Sequence, residues 1–225
     1  MCFSPAASFT ASAILISAGA ACIYHVKDRS QLLFAFIPLI FGIQQLTEGI
    51  LWLVLRNDAY IEWRQGATLI FAAFGQLVWP LLVPFAVLFM EKDKKRRQIL
   101  YLFCAAGVLI FSYLLNNLIF HPVYASINQH HIDYEFDFPN GHIQLLSALV
   151  YVIATVGSHF VSGIRKVNVM GAVVLGSLLI TKIFYTQFVF SVWCFFSAVI
   201  SLMVYMIIVE DTQHSHAHGH HPVHH

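Results

Sequence analysis

Seven apolar stretches, each near the length of a membrane-crossing helix, divide this chain almost from end to end. A helix crosses the hydrocarbon core in roughly 20 apolar residues. The stretches cover about residues 5–25, 31–55, 66–90, 98–120, 142–162, 167–185 and 188–209. Backbone groups in lipid must be satisfied within the segment, so each stretch is expected to be a helix. Strand signals for a transmembrane barrel are absent. The chain is 59% hydrophobic and 10% charged, where a soluble domain carries about 25% charged residues. A soluble core of this size would leave apolar surface with nothing to cover it. The near-neutral net charge of +1 gives no basic surface for nucleic acid. The partner implied by composition is the lipid bilayer.

The expected fold class is therefore all-α: a seven-transmembrane-helix bundle over residues 1–209, followed by a histidine-rich tail at 210–225 that is expected to be disordered. Local signals set several ends. Ser4 can cap the first helix, with Pro5 in its first turn. His121-Pro122 stops the fourth helix, and Pro139-Asn140-Gly141 turns the chain into the fifth. The connection at 185–188 is very short. Residues 167–209 as one rod would run to roughly 65 Å, so two spans are expected there; a re-entrant segment would leave six. The N-terminus has no basic residue and its apolar stretch is long, so the first span is expected to be retained rather than cleaved.

Basic residues in short loops mark the cytoplasmic side. With the N-terminus outside, the inner loops hold Lys27, Arg29, Lys92, Lys94, Lys95, Arg96, Arg97, Arg165 and Lys166. The outer side holds Arg56, Arg64 and Lys182. The expected location is a cell membrane, multi-pass, with the C-terminus cytoplasmic. The run 91–97 reads as an anchor at the inner headgroups.

This orientation gathers polar residues near the outer face. Gln44, Gln45, Glu48 and Trp52 share one side of the second helix by their spacing. Asn116 and Asn117 approach the outer end of the fourth. Lys182 closes the sixth, and Ser191, Trp193 and Cys194 open the seventh. An ionisable group inside a span usually faces the bundle interior and marks a pathway or site. An outward-facing polar pocket is expected, with Pro38, Pro80 and Pro84 kinking helices to make room. The competing reading is that Gln44, Gln45 and Glu48 only bond helices together. Lys182 is a partner for Glu48 in the first reading and snorkels to the interface in the second.

Cys2 and Cys194 both fall outside, where a pair can form a disulfide. Cys2 also precedes a helix N-terminus, which favours thiolate and makes it a candidate nucleophile. Cys22 and Cys104 read as apolar packing residues. In the loop 121–141, residues 131–138 alternate polar and apolar, a strand pattern. Together with 123–127 they predict a short β-hairpin between helices 4 and 5, its aromatic face with Tyr134 turned down over the outer mouth. His159 reads as a packed residue. The tail carries His214, His216, His218, His220 and His221, followed by His224 and His225, a composition that can bind a divalent metal without defining an ordered site.

The opening Met1-Cys2-Phe3-Ser4 with Ala7-Ser8, the stretch 38–52 (PLIFGIQQLTEGILW), Tyr134, and Ser191-Val192-Trp193-Cys194 resemble an uncharacterised bacterial family of multi-spanning membrane proteins. The resemblance covers the chain to about residue 209. It implies that Cys2, Ser4, Gln45, Glu48, Trp52, Trp193 and Cys194 belong to the family pattern and that the histidine tail lies outside it. It carries no activity with it. Three functions stay open. The first is binding of a small ligand or ion in the outward pocket by a sensor, receptor or transporter. The second is a membrane-embedded enzyme using Cys2, Glu48 or Cys194, and the third is an accessory structural subunit. No P-loop, dinucleotide or zinc-protease motif is present.

Overall fold

The computed structural model describes residues 4–128, 131–138, 141–184 and 196–209, with the side chains of 182–184 excepted. Seven helical rods appear among the described residues. They are α1 (Pro5–His25), α2 (Arg29–Arg56), α3 (Asp58–Met90), α4 (Lys94–Phe120), α5 (Gly141–Val161), α6 (Arg165–Phe184) and α7 (Phe196–Val209). The first five are long and apolar enough to cross a membrane. Between α4 and α5 lies an antiparallel hairpin, β1 (Val123–Asn128) with β2 (His131–Phe136). Val123 pairs with Phe136 and Asn128 with His131. The expected all-α bundle with one hairpin is the fold observed.

The helix ends follow the sequence signals. Ser4 Oγ accepts the Ala7 N–H at 3.2 Å, with Pro5 next to it. Asp93 caps α4 by accepting the Arg96 N–H at 2.9 Å, and Asn57 caps α3 through the Ala59 N–H at 3.0 Å. Asp28 accepts the Ser30 N–H at the start of α2, and that hydrogen bond holds its carboxyl below the usual carboxylate range. Each cap satisfies a backbone donor that the helix leaves open.

Small residues bring α1 and α2 into close contact. Gly19 lies against the backbone of Leu39, and Gly42 against Ile16. Ser12 Oγ donates to the Gly42 carbonyl at 2.8 Å. Such stripes let helix backbones approach where lipid supplies no hydrophobic drive. The bundle closes on itself through α7, where Tyr205 meets His25 of α1 edge-on at 5.6 Å. Large apolar side chains such as Leu102, Leu109, Leu145 and Leu202 face outward. That is the surface expected of a protein solvated by lipid.

The two ends of the bundle differ in charge. One carries the hairpin, and the other carries the basic run after α3. On the basic face, Glu91 is buried and works as a clasp. Its Oε1 accepts the N–H groups of Lys92 and Asp93, each at 3.0 Å. Its Oε2 accepts the Gly163 N–H at 2.5 Å, joining the end of α3 to the α5–α6 turn. Arg97 donates to the carbonyls of Leu88 and Glu91 at 3.2 and 3.0 Å. The run expected as a headgroup anchor thus also ties helix ends together. On the hairpin face, Arg64 donates to the Leu55 carbonyl at 3.3 Å and pairs with Asp58 at 2.6 Å.

The prolines mark irregular helix. Pro38 follows a break at Phe36 in α2. Pro80 follows a π-helical turn, Phe74–Val78, within α3. A proline brings no N–H to the preceding turn. The carbonyl of Gly75 instead accepts the Tyr151 hydroxyl at 2.7 Å. A second π-helical turn, Ile153–Gly157, lies in α5. Single π turns inside α-helices are frequent at functional sites.

Candidate functional site

The face of α2 that the sequence marks as polar is buried. Gln44, Gln45, Glu48 and Trp52 are all within 3% of full burial. The spacing explains this, because positions 41, 44, 45, 48 and 52 share one side of the helix. Gln45 Nε2 donates to Glu48 Oε2 at 3.2 Å. Glu48 has a further interaction besides this one. Trp52 packs with Leu51, Phe71 and Ile132, and Arg56 lies over its ring at 5.0 Å. Its Nε1 has no hydrogen-bond partner among the described residues.

Gln44 points elsewhere. Its Oε1 accepts the Trp79 Nε1–H at 3.0 Å, and Trp79 stacks on Phe41 with 4.0 Å between ring centroids. These groups form one wall of a cavity of about 380 Å³. A second wall is a stripe on α5: Gln144, Ser147, Ala148, Tyr151, Val152, Thr155, Val156 and His159. Spacings of three and four put these on one face. Gly75 and Gln76, from the π turn of α3, complete the middle. Met170 and Val174 of α6 and Ile200 of α7 close the remaining side. Phe136 and Phe138 cover the hairpin end.

The hairpin is expected to turn its aromatic face down, and it does. Ile132 and Val123 are buried. Tyr134 stacks on Phe71 at 5.0 Å and 17° between ring planes. Gln144 Nε2 donates to the Phe138 carbonyl at 2.6 Å, which joins the cover to the top of α5.

Polar groups in the cavity are few and neutral at the hairpin end and in the middle. The Tyr151 hydroxyl and the Thr155 hydroxyl are already bonded, to Gly75 and to the Tyr151 carbonyl. Gln44 Nε2 and the whole carboxamide of Gln76 make no hydrogen bond to a described residue. His159 lines the opposite end, backed by Gly171, whose missing Cβ leaves room for the His159 side chain. No Asp, Glu, Lys or Arg lines the cavity among the described residues. Such a lining suits a small molecule held by apolar contact and oriented by a few polar groups.

The other expected site residues fall as follows. Asn117 is buried and donates to the Tyr113 carbonyl at 2.9 Å. Asn116 is exposed on the outer surface of α4, about 100° around the helix from its neighbour. Gln45, Glu48 and Trp52 do not line the cavity, and Trp52 packs beneath the hairpin. Tyr134 belongs to the cover. Lys182 is in the last turn of α6, and its side chain lies outside the described residues, as do Cys2, Ser191, Trp193, Cys194 and the tail histidines. The pairing of Cys2 with Cys194 and metal binding by His214, His216, His218, His220 and His221 therefore fall outside the described residues too. Among the described residues, no three His, Cys, Asp or Glu side chains gather as a metal site. The sequence patterns do not mark Gln76, Gln144 or Tyr151 as site residues, and they give His159 as a packing residue. Each is one polar residue in a long apolar run, and α3, α5 and α2 meet only in three dimensions.

The fold and its buried polar seam define a multi-spanning helical membrane protein. Within that class, the chain belongs to the Family of unknown function (DUF6629), whose model matches residues 1–219. The match runs past residue 209 and into the first part of the histidine tail. No curated protein and no solved structure matches the chain.

Proposed function

We propose that this protein binds a small molecule in the cavity between α2, α3 and α5, as a receptor, sensor or transporter of the outer membrane face would. The observation that carries this reading is the pair of carboxamides at mid-depth. Gln76 and the Nε2 of Gln44 border an apolar cavity and make no hydrogen bond to a described residue. Both amides are open to the cavity, so a bound molecule can take up their hydrogen bonds.

The charge asymmetry of the loops supports an orientation with the hairpin outside, so that the hairpin covers an outward-facing site. The volume of about 380 Å³ lies in the range of small-molecule sites and well above what a bare ion needs.

Native mass spectrometry of the protein released from nanodiscs tests this. A retained small molecule is expected in the natural protein. Its occupancy should fall about tenfold in Gln76→Leu, the effect of one lost hydrogen bond at a buried amide. Equal occupancy in both proteins, or none in either after screening for thermal stabilisation, would remove the reading.

A further inference from the structure

We propose that the ligand is an uncharged single-chain amphiphile drawn sideways from the bilayer, with a hydroxyl, ester or amide group held at the depth of Gln44 and Gln76. This rests on the cavity being a ligand site.

Shape is the first argument. The α5 stripe runs from Gln144 to His159, about 22 Å along the helix. The cavity is thus elongated along α5. That shape fits an extended acyl chain lying along the helix.

Access is the second. No residue of Gly141–Val152 is buried. One side of this segment borders the cavity through Ser147 and Ala148, and the other meets lipid through Leu145 and Leu149. From the hairpin face the way in is covered by Phe136 and Phe138. A molecule already dissolved in the outer leaflet meets the thin α5 wall first.

Charge is the third. Without an Asp, Glu, Lys or Arg on the described lining, an ionised head would be buried with no opposite charge on that lining. A neutral carbonyl or hydroxyl instead satisfies the Gln76 amide and Gln44 Nε2.

The test uses a monoacylglycerol carrying a diazirine in its chain, added to the full-length protein in phosphatidylcholine nanodiscs. Photolysis should label Ser147, Ala148 and Trp79, and excess unlabelled monoacylglycerol should compete. Ala148→Trp, which fills the cavity, should lower that labelling about tenfold. Contact labelling of Leu145 and Leu149 should remain in both proteins and report that the variant is folded. If Ala148→Trp does not fold, Gln76→Leu supplies the same comparison, with competition weakened about tenfold. Labelling confined to Leu145 and Leu149, or unaffected by competitor, overturns the proposal. An anionic fatty acid probe that outcompetes the monoacylglycerol overturns its neutral head. If water-soluble compounds stabilise the natural protein but not Ala148→Trp while the lipid probe fails, this inference falls and the ligand site stands. If nothing separates the two proteins, both fall.

Discussion

Gly42 is a residue whose whole effect is the space it leaves. A Cβ at that position would meet Ile16 of α1, and Ser12 uses the close approach to reach the Gly42 carbonyl. Gly42→Val is expected to part α1 from α2 and cost about 1–3 kcal/mol, the range for overpacking a tight contact. Thermal unfolding in detergent micelles reads this directly. Glu91 works the opposite way, by filling a need. Its carboxylate accepts three backbone N–H groups, from Lys92, Asp93 and Gly163. Glu91→Ala leaves those donors without their acceptor and is expected to lower stability by about 2–3 kcal/mol. Glu91→Gln keeps an acceptor oxygen and should cost less. If the two substitutions are equal, the carboxylate is not the clasp. Sequence spacing made the burial of Gln44, Gln45 and Glu48 legible, since carboxylates and amides inside a span turn from lipid. It did not separate Gln44 from Glu48. They are one turn apart on the same face, yet Gln44 meets Trp79 and the cavity while Glu48 accepts from Gln45 and does not line the cavity.

Among the elements, the hairpin was the clearest to read. Strict alternation in 131–138 fixes which side chains face the bundle, and Ile132 and Tyr134 face it. Tyr134→Ala removes the stack on Phe71 and is expected to cost about 1 kcal/mol or slightly more. It should also loosen the cover. A cysteine placed at Ala148 would then react faster with a small neutral maleimide than the same cysteine beneath the intact hairpin. Unchanged reactivity would show that the hairpin does not limit entry of water-soluble molecules. The π turns in α3 and α5 were not legible. A proline at position 80 signals a broken ladder, but whether the helix kinks, tightens or widens depends on what its freed carbonyl meets. Here that partner is Tyr151, 76 residues away. Ile153–Gly157 has no proline at all, and we have no local sequence account of it.

At the scale of the whole molecule, the lengths of the apolar runs set the helix count and the short loops set neighbour order. Tyr60 and Trp63 are exposed beside the hairpin face, and Tyr24 at the basic face. Aromatic residues at these levels suit the two membrane–water interfaces. The orientation predicts a labelling pattern in intact cells. With Cys2 and Cys194 replaced by serine, an impermeant maleimide should reach a cysteine at Asp137 from outside. It should reach one at Lys94 only after permeabilisation. The reverse pattern would place the cavity's cover in the cytosol. The cavity itself could not be read at this scale from one sequence. Its walls come from residues 37–44, 75–83 and 144–159, and nothing in their separate patterns records that they face one another.

The Glu91 clasp has a mechanical consequence. It fastens α3 to the α5–α6 turn at the basic end, and α3 and α5 are the two walls that face each other across the cavity. The same two rods meet again at mid-height, where the Tyr151 hydroxyl donates to the Gly75 carbonyl, so their free length lies toward the hairpin and the gap can widen most there. The bundle is a pair of tongs with its fulcrum at the basic end and its jaws toward the hairpin.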